Sequence, residues 1–447
     1  MTFLSLVPGL VTNVKQYGAV GDGVSDDTSE IQAAINALPS SGGTVFFPAG
    51  TYLISSSLTV PNTPYQGVNF IGTGWGSIIK MASGVNTYII KYAHTSQGMA
   101  GPVVRDLKLD CSNQTSGGGG IDAYGWYRGL IDHVWIHNAW ENGIYMQHGP
   151  GGAFGYQNTI TNNFIEGGIN SSGVGRGLYL TNADEHYIFH NLFQDNGGAD
   201  GSNGDNFHIR DDNGLSVYCG NAFVNGKGVF KLYGLQVRII GNIFDGNGGN
   251  IVQTQAGGPE MIFSNNVAIN VGYQQSGGSA NSINGIYLNA TRCIISNNYW
   301  ESDASSTPKT SSFIRIDTGG TYSVVTGNTF NVKTGSGTVS PILFVSGLPT
   351  GTQVRGNTGF NSVSSAAAFV TEAHGSASIT SGNTSVTVTH GLSMTPTLEQ
   401  ISVTPQTSFG SAAKFWISNP TSTQFTINVD ANPAQTVTFG WKADVGY

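Results

Sequence analysis

Charge and cysteine are both scarce in this sequence. Only 10% of its 447 residues are Asp, Glu, Lys or Arg, and the formal net charge is −8. Such a chain lacks the basic face that contact with nucleic-acid phosphates requires, so we expect no nucleic-acid partner. The three cysteines, Cys111, Cys219 and Cys293, are odd in number and far apart. This spacing indicates neither a disulfide framework nor a zinc site.

Long apolar runs are also missing. No stretch approaches the length that a membrane-spanning helix needs, so we expect no membrane partner. The opening "MTFLSLVPGL" has no positively charged start, and Pro8 interrupts its short apolar run. It is not a convincing signal peptide, although this leaves export open.

Glycine, by contrast, is abundant, with 64 residues, and aromatic residues make up 11% of the chain. Low charge together with many glycines is typical of a protein built from short strands and tight turns. The 39% of hydrophobic residues suffices to fill a core, which argues against disorder.

An asparagine-based motif repeats through the middle of the chain. Asn, one further residue and then an apolar residue recur at Asn162, Asn191, Asn221, Asn242, Asn265, Asn297, Asn328 and Asn357, and His133 lies one step earlier. Short alternating runs such as "GIYM", "GLYL", "NFHI" and "VFKL" come between these motifs. Two or three such strands per repeat predict a parallel β-helix, in which each coil stacks on the next. Asn suits the corner because it tolerates left-handed backbone angles and its amide can bond to the Asn of the next coil.

The repeat length is irregular, so the extra residues must leave the coils as loops. In solenoids such loops usually gather on one face and line a binding groove. We expect the loops at 149–155, 199–204 and 276–282 to do so.

The first 60 residues have a different pattern. Ile31, Ala34 and Ile35 fall at helical spacing, and Asp27 with Glu30 three residues later forms a capping-box arrangement. A short helix here would cover the open end of the solenoid. Asp27 is therefore interpreted as a helix cap rather than a catalytic residue.

The segments "NVKQYGAVGDGVSDDTSEIQAAI" and "GGTVFFPAGTY" together resemble the N-terminal signature of the pectate-lyase-like superfamily. Phage tailspike depolymerases, polysaccharide lyases, polygalacturonase-like hydrolases and mannuronan epimerases share this start. The resemblance implies an all-β fold, a right-handed parallel β-helix. It also implies a homotrimer and an extracellular or virion-tail location, but it does not determine the reaction.

Three segments are predicted on these grounds. Residues 1–60 form the N-terminal cap, residues 61–370 form the β-helix with its groove, and residues 371–447 form a small C-terminal β-sandwich. The last segment alternates strands with turn residues and resembles domains attached to tail proteins and carbohydrate-active β-helices. We favour a role in oligomerisation over folding assistance or glycan binding.

Titratable residues concentrate at 176–238, which hold 5 of the 18 basic and 7 of the 26 acidic residues. Stacking the strands predicts an outward column of Tyr145, Tyr179, His208 and Lys231. The predicted catalytic residues are Asp184, Glu185, Asp205, Asp211, Asp212 and His208. The predicted substrate-binding residues are Tyr145, Tyr179, Arg210, Lys231 and Trp140. Plain alternatives remain, since "RDDNG" could be a turn, the two tyrosines could be packing between coils, and Trp140 could be buried.

These residues favour a polysaccharide-degrading glycoside hydrolase, which needs two carboxylates. The alternative is a lyase or C5-epimerase acting on a uronic-acid polymer, in which Lys231 or Arg210 would neutralise the substrate carboxylate while His208 and Tyr179 exchange the proton. A third hypothesis is a non-catalytic glycan-binding adhesin. "NGDNFHI" resembles the catalytic strand of polygalacturonase-like hydrolases at Asp205 only, and that family's "GHG" motif is absent. No cofactor or metal motif is present; calcium could bind the Asp-rich turns, but no EF-hand-like loop indicates it.

Overall fold

A computed structural model describes residues 10–445 except 62–66, 93–97, 149–154, 168–174, 197–206, 213, 227, 235, 256–259, 273–282, 303–309, 334–338, 346–348 and 359–370. The predicted groove loops at 199–204 and 276–282, and all of 149–155 except its last residue, lie outside the described residues.

The chain is almost entirely β-structure. Its one α-helix, within the described part, is α1 (Thr28–Asn36), and 3-10 turns lie at Val14–Tyr17 and Leu398–Gln400. The first strands are β1 Val11–Asn13, β2 Asp22–Asp26, β3 Gly43–Phe46, β4 Gly50–Ile54, β5 Leu58–Val60, β6 Val68–Ile71, β7 Ser77–Met81, β8 Ile90–Tyr92, β9 Met99–Ala100, β10 Val103–Asp110, β11 Gly119–Tyr124, β12 Trp126–Tyr127, β13 Leu130–Ala139 and β14 Asn142–Gln147. The middle strands are β15 Thr159–Thr161, β16 Phe164–Gly167, β17 Arg176–Thr181, β18 Tyr187–Phe189, β19 Leu192–Gln194, β20 Phe207–Asp211, β21 Val217–Cys219, β22 Ala222–Val224, β23 Gly228–Leu232, β24 Arg238–Ile240, β25 Ile243–Asp245 and β26 Val252–Thr254. The remaining solenoid strands are β27 Ile262–Ser264, β28 Val267–Val271, β29 Ile283–Leu288, β30 Ile294–Ser296, β31 Tyr299–Ser302, β32 Thr310–Ile316, β33 Val324–Thr326, β34 Thr329–Asn331, β35 Ser340–Phe344 and β36 Gln353–Arg355. The C-terminal strands are β37 Glu372–Ile379, β38 Ser385–Thr389, β39 Ile401–Pro405, β40 Phe415–Ser418, β41 Gln424–Val429 and β42 Val437–Asp444.

Strands β1 to β36 form a parallel β-helix. A typical coil contributes three strands, as in β18, β19 and β20, and each strand pairs in parallel with its counterpart in the next coil. The strands of the third position, from β5 to β35, make an 11-stranded sheet, called here the third sheet. The predicted parallel β-helix is confirmed.

Two neighbouring positions of the repeat have different structural roles, and Asn occurs at both. Where two Asn follow each other, the first adopts left-handed angles, as Asn162 does with φ 56°. The second is buried and bonds to the Asn of the next coil, as Asn163 does through its Nδ2 to Asn191 Oδ1 at 2.9 Å. The ladder continues through Asn191, Asn221, Asn242, Asn266, Asn298, Asn328 and Asn357. The assignment of Asn162, Asn265 and Asn297 to the ladder was therefore one residue too early.

Aromatic side chains stack inside the solenoid. Phe193 lies over Phe223 with ring centroids 5.0 Å apart, and Phe223 lies over Phe244 at 5.3 Å. Burial of a Phe side chain stabilises by about 1.5–3 kcal/mol. Each coil therefore gains its stability from contact with the next.

Helix α1 covers the start of the solenoid as predicted, with Ile31, Ala34 and Ile35 buried. The capping interpretation of Asp27 was wrong in detail. Asp27 occupies the N-cap position, but its carboxylate accepts no hydrogen bond from the helix; Val20 N and Gly21 N donate to it instead. Within the described residues, no helix has the length and apolarity to cross a bilayer.

The C-terminal strands form two antiparallel three-stranded sheets, β37-β42-β39 and β38-β41-β40. Phe425, Ile427 and Phe439 belong to a core of their own, separate from that of the solenoid. This arrangement is that of a small β-sandwich.

Candidate active site

One column of side chains runs along the third sheet, coil after coil. The strand register aligns Thr59, Lys91, Asp122, Tyr145, Tyr179, Arg210, Lys231, Gln253, Tyr287, Arg315 and Leu343. Neighbours in this column are about 4.8 Å apart, because that is the spacing of paired strands. We call this row the outer column.

The register corrects one predicted member. Tyr179 pairs with Arg210, so His208 is not in the outer column. His208 is fully buried; its Nε2 lies 2.8 Å from Asn225 O and its Nδ1 lies 3.2 Å from Asn196 Nδ2. Burial lowers the pKa of His208 from 6.5 to about 4, which leaves it neutral at physiological pH. An outward His208 that exchanges a substrate proton is therefore incompatible with the structure.

Tyr145, Tyr179, Arg210 and Asp212 form the centre of the column. The Tyr145 and Tyr179 rings stack at 5.1 Å, and the Arg210 guanidinium lies 4.9 Å from the Tyr179 ring centroid. Asp212 accepts hydrogen bonds from the Tyr179 hydroxyl at 3.0 Å and from Arg210 Nε at 2.9 Å. All four are predicted site residues, but the predicted column of the two tyrosines does not include Arg210; the structure places Arg210 there and brings the four into contact.

Burial, followed by the Asp212 charge, raises the pKa of Tyr179 above 10.0. Burial likewise raises the pKa of Tyr145 to about 12. Both phenols are therefore protonated near neutral pH and can donate a proton.

Two further cations flank this centre. The Arg176 guanidinium lies 4.9 Å from the Tyr179 ring centroid, and its Nη1 donates to Asn142 Oδ1 at 3.2 Å. Lys231 follows Arg210 in the column, and its Nζ lies 5.6 Å from the Tyr233 ring centroid. Arg176 and Arg210 thus both contact the Tyr179 ring, and Lys231 adds a third cation one coil beyond Arg210.

Asp122 is the residue that sequence reasoning missed. It precedes Tyr145 in the column, and Gln147 Nε2 donates to its Oδ1 at 3.3 Å. Burial raises the pKa of Asp122 from 3.8 to about 6; the Glu141 charge adds to this, and the Gln147 hydrogen bond and the Lys91 charge oppose it. A carboxyl group that changes protonation near neutrality is suited to acid–base catalysis. Extending the column by one coil, to "GIDAY", would have found it.

The other predicted carboxylates lie elsewhere. Asp211 is fully buried and accepts hydrogen bonds from Tyr218 Oη and Gly214 N, each at 2.9 Å, so it closes a turn. Glu185 accepts from Gln157 Nε2 at 2.8 Å at a corner after β17. Asp184 precedes it, and burial raises the pKa of its carboxyl, with the Glu185 charge adding to the shift.

The last two predictions stay as predictions. Asp205 lies outside the described residues. Trp140 is half-buried at the bend before β14, and it is not one of the outer-column residues. Among the residues described, no group of three or more His, Cys, Asp or Glu is placed to hold a metal ion.

Comparison with known proteins agrees with this architecture. Residues 11–289 match the family described as rhamnogalacturonase A/epimerase, pectate lyase-like, and the chain belongs to that family. The match covers more than half of the sequence.

Two curated relatives come from Azotobacter vinelandii. Mannuronan C5-epimerase AlgE2 is 40% identical over 131 residues, which cover 27% of this chain and 12% of that protein. Alginate lyase 7 is 35% identical over 130 residues, with 27% and 14% covered. The chain therefore matches only a small part of either relative.

Solved structures share the fold. The tailspike protein gp49 from Pseudomonas phage LKA1 has a TM-score of 0.60 at 13% identity, covering 97% of this chain and 99% of that one. The A-module of mannuronan C-5 epimerase AlgE4 from Azotobacter vinelandii has a TM-score of 0.51 at 19% identity, covering 78% and 95%.

Proposed function

We propose that this protein modifies a uronic-acid polysaccharide by removing the proton at C5 of a sugar residue, as a C5-epimerase or a β-eliminating lyase. The observation that carries this proposal is the pair of guanidinium groups, Arg176 and Arg210, on the Tyr179 ring, with Lys231 as a third cation next to Arg210 in the column. The family match and the epimerase and lyase among its relatives support it.

The cations would make the C5 proton acidic. The attraction between a cation and a substrate carboxylate 4 Å away is about 4 kcal/mol at an effective dielectric constant near 20. When C5 loses its proton, the electron pair of the C–H bond moves into the carboxylate group, and the cations stabilise the added charge. A neutral sugar offers these cations only uncharged hydroxyl and ring oxygens, so their positive charge would not be neutralised.

Asp122 and Tyr179 would handle the protons. They lie on either side of Tyr145 in the outer column, so a sugar bound over Tyr145 has a proton acceptor on one side and a donor on the other. Ionised Asp122 takes the C5 proton. Protonated Tyr179, oriented by Asp212, then donates its own proton.

The fate of the Tyr179 proton separates the two reactions. In epimerisation it goes to the opposite face of C5, and the C5 configuration inverts. In elimination the C4–O4 bond breaks, a C4=C5 double bond forms, and the leaving oxygen takes the proton. In either case the Arg210 guanidinium over the ring stabilises the resulting tyrosinate.

A second candidate function is glycoside hydrolysis, and one observation supports it. Asp122, with its pKa of about 6, is protonated in mildly acidic solution, and Glu141 lies close enough for its charge to contribute to that pKa. A protonated acid beside a carboxylate is the pair that hydrolysis requires.

The test is a reaction with polymannuronate and with neutral polysaccharides in deuterated water. The products are followed by NMR for deuterium at C5, by ultraviolet absorbance for unsaturated uronate, and by a reducing-end assay. We expect deuterium at C5, with absorbance if the enzyme is a lyase. Reducing ends that appear without deuterium or absorbance would show hydrolysis and refute C5 chemistry.

We also propose an assembly and a location. The resemblance to tailspikes and the tailspike structure with the same fold support a homotrimer and an extracellular or virion-tail location. A polysaccharide partner fits either setting.

A further inference from the structure

The contacts around Tyr179 occur a second time, farther along the outer column. Tyr287 pairs with Arg315 as Tyr179 pairs with Arg210. The Arg315 guanidinium lies 5.0 Å from the Tyr287 ring centroid, and the Tyr287 hydroxyl donates to Asp317 Oδ2 at 2.7 Å. In both cases the aspartate follows the arginine by two positions. The same three residue types thus make the same arginine–ring and hydroxyl–carboxylate contacts on two parts of one sheet.

The two clusters differ in how the arginine is used. Arg210 Nε donates to Asp212. Asp317 instead accepts from Tyr287 and, at 2.8 Å, from Thr318 N. Arg315 Nε is buried and has no hydrogen-bond partner among the residues described. A buried donor without a partner costs about 1–3 kcal/mol, and Arg315 Nε lacks the carboxylate acceptor that Asp212 provides to Arg210 Nε.

The distance between the clusters matches a polymer. Tyr179 and Tyr287 are four steps apart in the column, through Arg210, Lys231 and Gln253. Four steps span about 19 Å. One residue of an extended polysaccharide is about as long as one step, so the two clusters lie about four sugars apart along a chain that follows the column.

We propose that Tyr287, Arg315 and Asp317 form a second carboxylate-binding site, in which Arg315 holds a uronate about four residues from the one over the Tyr145–Tyr179 pair. The Tyr287 ring and the Asp317 charge hold the guanidinium in place, and its terminal N–H groups receive the carboxylate. The site adds affinity only for chains long enough to reach both clusters. This inference rests on the proposed function, because it assumes an acidic polysaccharide in the groove.

The experiment compares Arg315→Gln with wild type on size-fractionated polymannuronate. Arg292→Gln is the matched control, because it removes the same charge from an exposed arginine that pairs with Glu260. With long chains we expect KM to rise about tenfold for Arg315→Gln, the value of one charge-assisted hydrogen bond, with kcat unchanged. With chains of about four residues or fewer, kcat/KM should equal that of wild type. Arg315→Lys keeps the charge but not the planar group. Its KM on long chains should therefore lie between those of wild type and Arg315→Gln.

Three results would overturn the proposal. These are a KM on long chains equal to that of Arg292→Gln, an equal loss on long and short chains, or a change confined to kcat. Calorimetric titration with the same fractions separates this inference from the proposed reaction. If wild type binds long chains without converting them, and Arg315→Gln binds them about tenfold more weakly, the second carboxylate-binding site is supported and the proposed reaction is refuted. If wild type neither binds nor converts any fraction, both fall.

Discussion

Among single residues, Asp122 has the clearest consequence for catalysis. If its ionised carboxylate removes the C5 proton, wild-type kcat should rise with pH through about 6, the pKa of this group. Asp122→Asn should lower kcat at least a hundredfold and abolish that rise. The measurement is kcat against pH on polymannuronate. Activity that instead falls above pH 6 would mean that Asp122 acts as an acid, as hydrolysis requires.

The same substitution should change stability in a defined direction. Folding raises the pKa of Asp122 from 3.8 to about 6, so the native chain holds more protons than the unfolded chain in this interval. The contribution of Asp122 to the free energy of unfolding is thus full below pH 4 and is lost as pH rises through 6. Asp122→Asn should remove this loss, which is on the order of 3 kcal/mol for the shift from 3.8 to about 6. Urea titrations at several pH values measure it, and an unchanged pH dependence would contradict the raised pKa.

For His208, the contribution to stability changes with pH in the opposite direction. Folding lowers its pKa from 6.5 to about 4, so the unfolded chain holds more protons in that interval. The stability that comes from neutral, buried His208 is present above pH 6.5 and is lost as pH falls toward 4. His208→Gln can still bond to Asn225 and Asn196, so we expect weaker acid destabilisation with kcat at neutral pH nearly unchanged. A large fall in kcat in a variant with a native circular dichroism spectrum would restore His208 as a catalytic residue.

His208 also shows where residue-level prediction failed. Aligning "NFHI" with "GLYL" assumes strict alternation along the strand, and the slip that resulted was two residues, which alternation cannot detect because the side-chain period is two. The structure breaks the alternation at the start of these strands, where His208 and Ile209 are both buried, as are Val229 and Phe230. Strand register is set by backbone pairing across coils, which a single sequence does not record.

At the scale of elements, the asparagine ladder gives a matched pair within one "NNF" motif. Asn163 accepts from Val134 N at 2.8 Å and donates to Ile131 O at 3.0 Å. Asn163→Ala leaves these buried backbone groups without that partner, at a cost of about 1–3 kcal/mol each. Asn162, next to it, adopts left-handed backbone angles, and its Nδ2 donates to Asp132 Oδ1 at 2.9 Å in an exposed position, where a hydrogen bond contributes little. Asn162→Gly should therefore change stability by a few tenths of a kcal/mol.

Chemical denaturation of both variants tests this assignment. A loss of about 3 kcal/mol for Asn163→Ala with near-wild-type stability for Asn162→Gly is expected. The reverse order would assign the ladder to the first Asn.

The coils could be predicted from the sequence because every coil stacks on the next in the same way. Each coil therefore needs the same residue types at the same positions. Each corner needs a left-handed residue followed by a ladder amide, and Asn suits both positions, so it recurs there. In some coils the left-handed position is taken by His133, His190 or Gly220 instead, and no single motif then marks it. The groove was partly predictable, since Tyr145, Tyr179 and Lys231 follow the strand pattern. The position of Asp122 in the column follows the same pattern, but its raised pKa could not be predicted, because it comes from burial in the folded chain.

At the scale of the whole molecule, the two separate cores bear on assembly. Residues 371–447 have a core of their own around Phe425 and Phe439, so we expect this fragment to fold alone and to unfold cooperatively. Its strand β40 carries Trp416, whose side chain is 48% exposed, and Leu398 is 50% exposed. Large exposed apolar residues are typical of interaction sites.

Oligomerisation through the sandwich predicts a specific pattern in sedimentation velocity. The full chain and the fragment 371–447 should be trimeric, and residues 1–370 should be monomeric. Trp416→Lys should convert the full chain to a folded monomer, because a charge buried without a partner disfavours association. A trimeric full chain with a monomeric fragment would instead place the contact on the β-helix, where Ile243 and Val267 are exposed neighbours on paired strands. A Trp416→Lys protein that stays trimeric but binds polysaccharide more weakly would assign the sandwich to glycan binding.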